Sequence, residues 1–223
     1  MFKLTFLFLW LSWLLGNPFF AIILLLFILY VIDRRFVGLS PSLLAPLKRN
    51  SRIRKLRNIM TASPNDVSAK QELARLLIDK KKYGEAIRLL EPLKRVLEDS
   101  AEYWADLGLA LAAEGNKAEG EAALLRALEI NSRVKYGTPY LRLAAMSADS
   151  GDQEKALRYL RAFQDIHSSS CESYYRLAEV YKRMGKEAEA KSSAEEGLRV
   201  YRSLPKYRKR AERGWALRLL LKK

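Results

Sequence analysis

One cysteine and one histidine are all that 223 residues supply of the side chains most often used as metal ligands, nucleophiles and bases. Cys171 by itself can form neither an internal disulfide nor a zinc site built from several thiolates, and a lone thiol is in keeping with a reducing compartment. Its place at a helix start suits N-terminal packing better than reactivity. His167, in a serine-rich turn, lacks the partners that a metal site or a catalytic triad needs. The sequence also lacks a glycine-rich phosphate loop, a pair of supported carboxylates and a nucleophile motif. Neither an enzyme nor a bound cofactor or metal is expected.

Acid is scarce at both ends of the chain. Residues 1–60 hold nine lysines and arginines against Asp33 alone, and residues 204–223 hold eight against Glu212 alone. The stretch between them has 23 basic and 23 acidic residues, so the formal charge of +15 belongs to the termini. A surface that tracks a phosphate backbone would carry its charge along the domain instead. Nucleic acid is therefore not an expected partner, and anionic lipid is the simpler match for the basic ends.

Between Leu4 and Ile32 no charge occurs, and Thr5, Ser12 and Asn17 are the only clearly polar side chains. Spanning a hydrocarbon core of about 30 Å takes roughly 20 helical residues, which this run exceeds. It is also longer than a signal-peptide core, and no small-residue cleavage pattern follows it. Residues 1–35 are thus expected to anchor the chain in a cell membrane. Gly16, Asn17 and Pro18 suit a helix stop, an N-cap and a first helical position in turn. Two shapes satisfy them: a hairpin of two helices, Phe2 to Leu15 and Pro18 to Ile32, or one kinked span from about Trp10 to Ile32. Arg34 and Arg35 follow directly, and the positive-inside bias puts everything beyond them in the cytoplasm. Residues 36–62 read as a basic juxtamembrane linker, limited by Pro41 and Pro46. Its Lys48, Arg49, Arg52, Arg54, Lys55 and Arg57, in a basic turn or two of helix, could lie with Arg34 and Arg35 on lipid headgroups, or could serve only to set topology.

From residue 63 the sequence repeats. Leu73–Ala74, Leu107–Gly108, Leu143–Ala144 and Leu177–Ala178 are equivalent pairs separated by 34, 36 and 34 residues. Tyr140 and Tyr174 stand where Trp104 stands, and Ala86, Gly120, Ala156 and Ala190 recur in the second half of each unit. Gly115, Gly151 and Gly185 suit the ends of first helices. Small residues let paired helices approach closely while the large ones fill the space between units. Helices are expected to start near Val67, Tyr83, Ala101, Lys117, Thr138, Gln153, Cys171 and Glu187, with two extra residues lengthening the turn near Val134 to Gly137.

With Trp104, Leu107, Gly108, Leu111, Gly115, Leu124 and Ala127 in place, residues 63–203 resemble tetratricopeptide repeats, in four units at 63–98, 101–132, 137–168 and 171–203. Lys70, Gly120 and Ser147 depart from the family pattern. The resemblance implies an all-α fold: a membrane helix or helical hairpin, a right-handed α-solenoid of about four helix pairs, and a C-terminal helix. It also implies a concave groove lined by the first helix of each pair. By alignment the groove would show Gln71, Arg75 and Ile78 at one end, Ala105, Leu109, Ala112, Leu141, Ala145 and Ala148 in the middle, and Tyr175, Glu179, Lys182 and Arg183 at the other. A floor this rich in small apolar residues suits a peptide or amphipathic helix of a partner protein. The asparagine-rich clamp of chaperone-binding relatives is not evident. Residues 204–223 read as a basic amphipathic helix with Ala211, Trp215 and Leu219 on one stripe, either capping the solenoid or touching lipid. The expected role is a membrane-tethered interaction scaffold; the alternative is a peripheral structural protein lying on anionic lipid through its basic ends, with no groove ligand. The partner and the oligomeric state stay open.

Overall fold

The computed structural model describes residues 2–32 and 45–222, all of their regular structure helical. The chain divides into two compact units, residues 1–47 and 48–223.

In the first unit α1 (Phe2–Leu15) and α2 (Pro18–Ile32) pair as a hairpin. Gly16 turns the chain at φ +62°, where a side chain would be strained, and the Asn17 Oδ1 accepts the Phe19 amide at 2.9 Å to cap α2. A single kinked span from Trp10 therefore does not form: the reversal at Gly16 breaks the run into helices of 14 and 15 residues. Each is about 21–23 Å long at 1.5 Å per residue. No helix among the described residues is long and apolar enough to cross a membrane. Leu11 and Ala21, five residues either side of the turn, are buried, whereas Trp13 is 82% and Phe19 76% exposed.

In the second unit the segment expected to be a basic linker is, from residue 45 onward, a full helix α3 (Ala45–Ala62). Pro46 sits in its first turn, where a missing amide hydrogen removes no helical bond. Ile53 and Leu56 are buried in one core with Leu73, Leu77 and Leu90, and Ile59 and Met60 pack against it. The solenoid thus begins before residue 63. Arg34, Arg35, Ser40, Ser42 and Pro41 lie outside the described residues.

Four helix pairs follow: α4 (Val67–Asp79) with α5 (Tyr83–Leu90), α6 (Ala101–Glu114) with α7 (Lys117–Ile130), α8 (Thr138–Asp149) with α9 (Gln153–Ile166), and α10 (Cys171–Arg183) with α11 (Glu187–Ser203). All eight start where the sequence pattern put them. Asp66, Ser100 and Asp152 cap α4, α6 and α9 through their side chains. Helix α5 is short because Pro92 turns the chain into a 3-10 segment, Glu91–Leu93. The pair α6–α7 is the tightest. A methyl at Gly108 would stand 2.8 Å from the Leu124 amide nitrogen, and one at Gly120 would stand 2.6 Å from that of Ala112. Gly120, which departs from the family's alanine, is thus required by the approach of the two backbones.

The extra residues between the second and third units form a strained turn, Val134–Gly137. Lys135, Tyr136 and Gly137 are successively left-handed at φ +47°, +55° and +78°. Helix α12 (Lys206–Leu220) closes the stack on α10 and α11, with Leu219 and Ala216 buried. Ala211, expected on its apolar stripe, is exposed instead. The helix is rotated so that Glu212 faces α10, where its Oε2 accepts the Cys171 amide at 3.0 Å and supplies the acceptor that Ser170 does not.

Candidate binding groove

The first helices of the four pairs, α4, α6, α8 and α10, carry all the expected groove residues, but packing gives these different surroundings. Ala105, Ala112 and Leu141 are buried between helices and cannot meet a ligand. Their small or aliphatic side chains are spent on close approach: Ala112 backs onto Gly120, and Ala105 packs with Ala127 and Val134. Gln71, Ile78 and Leu109 are half-buried and stay at the surface.

Arg75 is not a free cation. Its Nε donates to Asp106 at 2.8 Å and its Nη2 donates to Glu102, while the Lys135 ammonium donates to the other Asp106 oxygen. Asp106 is only 2% exposed, and a buried carboxylate is tolerable only when both oxygens are matched in this way. One side chain of α6 therefore ties α4 to the strained turn ahead of α8. This node edges an open cavity of about 800 Å³, whose rim includes Glu102, Arg133 and Tyr136, the last 81% exposed. Two signs of the node are visible in the amino-acid order: a carboxylate between apolar neighbours, and the 36-residue spacing among spacings of 34.

Further along, Ala145 and Ala148 lie with Glu179 and Arg183 around a cavity of about 120 Å³ between α8 and α10. Arg183 bridges these helices, donating to the Ala148 carbonyl at 3.0 Å and standing 3.7 Å from Asp149. Lys182 is exposed beside it. The final part of the expected groove is occupied by the protein's own tail. The Tyr175 hydroxyl donates to Glu179 at 2.9 Å, the Lys222 ammonium reaches Glu179 at 3.3 Å, and the Trp215 ring lies 5.5 Å from that of Tyr175. Arg218 stacks 4.5 Å above Trp215.

The expected headgroup residues also divide. Arg52 makes two 2.6 Å hydrogen bonds to Glu72, and Arg57 reaches Glu85 at 3.0 Å. Arg52 holds the Glu72 carboxyl below its ordinary range. Lys48, Arg49, Arg54 and Lys55 are exposed, with no ion-pair partner among the described residues.

The two residues with potential chemistry are in structural roles. Burial, reinforced by the nearby Glu212 carboxylate, pushes the Cys171 thiol up to about 12, so it stays protonated. His167 lies 2.7 Å from the Arg208 guanidinium, and burial followed by that charge lowers its pKa, so the ring is held neutral as an acceptor. Among the described residues no group of three or more His, Cys, Asp or Glu side chains is placed to hold a metal.

Comparison with known proteins agrees with this architecture. Two family models, both described as tetratricopeptide repeat, match residues 53–110 and residues 101–133 with 172–203, together half of the chain. No curated protein matches. Among solved structures, MamA is 24% identical, with 66% of this chain and 85% of MamA covered at a TM-score of 0.60. TTC0263 from Thermus thermophilus, a thermophilic TPR protein, is 22% identical over 80% of this chain and 94% of its own, TM-score 0.59. YrrB, described as a TPR protein with an unusual peptide-binding site, is 15% identical over 75% and 89%, TM-score 0.54. At these identities the structures speak for the fold, and the family models carry the assignment: the chain belongs to the tetratricopeptide-repeat family.

Proposed function

We propose that the chain is a membrane-tethered scaffold whose concave face, from Leu109 to Lys182, receives a peptide or helix of a partner protein. The observation that carries the reading is the pairing of Ala145 and Ala148 with Glu179 and Arg183 around a small cavity between successive first helices. An apolar dent rimmed by both charge signs takes one aliphatic side chain of a ligand while fixing its backbone with polar contacts. The peptide-binding site in the description of YrrB supports the same use of this fold. The ligand surface is shorter than four units, because Trp215, Arg218 and Lys222 take up the Tyr175 end.

The tether is the paired α1–α2 hairpin. Large side chains face outward and no charge interrupts residues 4–32, so lipid is the solvent that suits it. Helices of 14 and 15 residues fit a hairpin that enters one side of a bilayer rather than two full spans. The positive-inside bias of Arg34 and Arg35 favours the cytoplasmic side for the solenoid that follows them.

The groove is tested by recovering partners from detergent-solubilised membranes with the full chain and with Ala145→Arg and Lys182→Glu variants. Loss of a stoichiometric partner in both variants is expected, and unchanged recovery would overturn the groove. The tether is tested separately by washing membranes at high pH, where the full chain should stay with the pellet; release into the wash would overturn it.

A further inference from the structure

The turn that joins α4 to α5 is built like the turns of the other three units, with one substitution. In all four, an amide just beyond the first helix returns to a carbonyl five residues earlier: Lys82 to Leu77, Asn116 to Leu111, Asp152 to Ser147 and Lys186 to Tyr181. This arrangement needs a left-handed residue in the middle, and glycine supplies it at Gly115, Gly151 and Gly185. The first unit has Lys81 there instead, at φ +60°. A side chain in that conformation strains the backbone. The first unit accepts the strain and so displays three successive lysines, Lys80, Lys81 and Lys82.

Those lysines do not face open solvent alone. Lys80 and Lys82 line a cavity of about 300 Å³ whose opposite wall is Arg54 and Arg57, one turn apart on α3, over a floor of Ile53 and Leu77. No carboxylate lines it. Glu85, just outside, accepts from both Lys82 and Arg57 and keeps those two side chains extended, while Lys80 donates to Asn50 at 2.8 Å. Arg54 has no ion-pair partner among the described residues. Four cations around an apolar floor complement a phosphate group attached to an apolar body.

We propose that this cavity binds the phosphate-bearing headgroup of an anionic lipid, with Arg54, Arg57, Lys80 and Lys82 as its ligands. The proposal rests on the membrane-tether reading, since it needs the solenoid near a bilayer, and it adds lysines that α3 alone does not provide. It fails independently of the tether, because the high-pH wash depends on the hairpin and not on these four side chains.

The test is native mass spectrometry of the full chain, released from neutral detergent that contains equal amounts of phosphatidylglycerol and phosphatidylcholine. One phosphatidylglycerol should be retained in preference to phosphatidylcholine. Neutralising Arg54 and Lys80 together (R54Q/K80Q) leaves Glu85 with both its partners and should weaken retention about 25-fold, at about fivefold per cation. Lys81→Gly relieves the strained turn, so it should raise the melting temperature and leave phosphatidylglycerol retention as in the parent chain, because Lys81 does not line the cavity. Inorganic phosphate alone forms the second arm. Binding as tight as that of the lipid would overturn the headgroup assignment in favour of a soluble phosphate. Equal retention of both lipids, or unchanged phosphatidylglycerol retention in R54Q/K80Q, would overturn the site.

Discussion

The hairpin and the solenoid put opposite side chains on their surfaces. In the hairpin the small Ala21 is inside and Trp13, Phe19 and Phe20 are outside. In the solenoid Leu77, Leu124 and Phe163 are inside and the charges, Asp106 excepted, are outside. Both units are helical, so backbone preference does not separate them. The difference lies in where the large apolar groups go: their burial holds the repeats together, whereas the hairpin leaves them exposed, as the proposed tether requires.

The largest effect should come from giving the hairpin a surface that water accepts. The double substitution Ile23→Lys with Leu26→Lys puts two charges on its exposed apolar face, and it should move the full chain from the membrane pellet to the wash; a pellet-bound double variant would break the comparison. Next comes emptying a solenoid core. Phe163→Ala should cost about 3–5 kcal/mol, read from denaturant midpoints, because this ring is buried among α8, α9 and α10. A smaller effect tests crowding in place of emptying. Gly120→Ala should cost about 1–3 kcal/mol, since its methyl would meet the Ala112 backbone. The smallest effect is a pH dependence. His167 has a lowered pKa in the folded chain, so the unfolded chain binds more protons, and stability should fall as pH drops below about 6.5. His167→Gln should remove that part of the slope in melting curves recorded from about pH 7.5 to 5.

The repeat boundaries were legible because they follow recurring residue types: Leu73–Ala74 and its three equivalents at spacings of 34 and 36, with Gly115, Gly151 and Gly185 as stops. The break at Gly16–Asn17 was legible from a stop of the same kind. Helix α3 was legible only as a basic turn or two, because Ile53, Leu56 and Met60 make a sparse apolar stripe among six lysines and arginines, and its partners Leu73 and Leu77 lie some twenty residues away. The groove was half legible. Alignment places Ala112 and Ala148 at equivalent positions, yet one is buried and the other lines an open cavity, since burial depends on how closely the next helix packs. Likewise no local pattern announces that Lys222 would reach back to Glu179.

In a linear array whose modules touch only their neighbours, disruption can start at either end and advance one module at a time. Asp106 breaks that rule, because its two oxygens hold Arg75 from the module before and Lys135 from the passage to the module after. Two modules and the turn leading to a third thereby share one fastening, and peeling that begins at α12 can advance only as far as α8 before it must release all of these together.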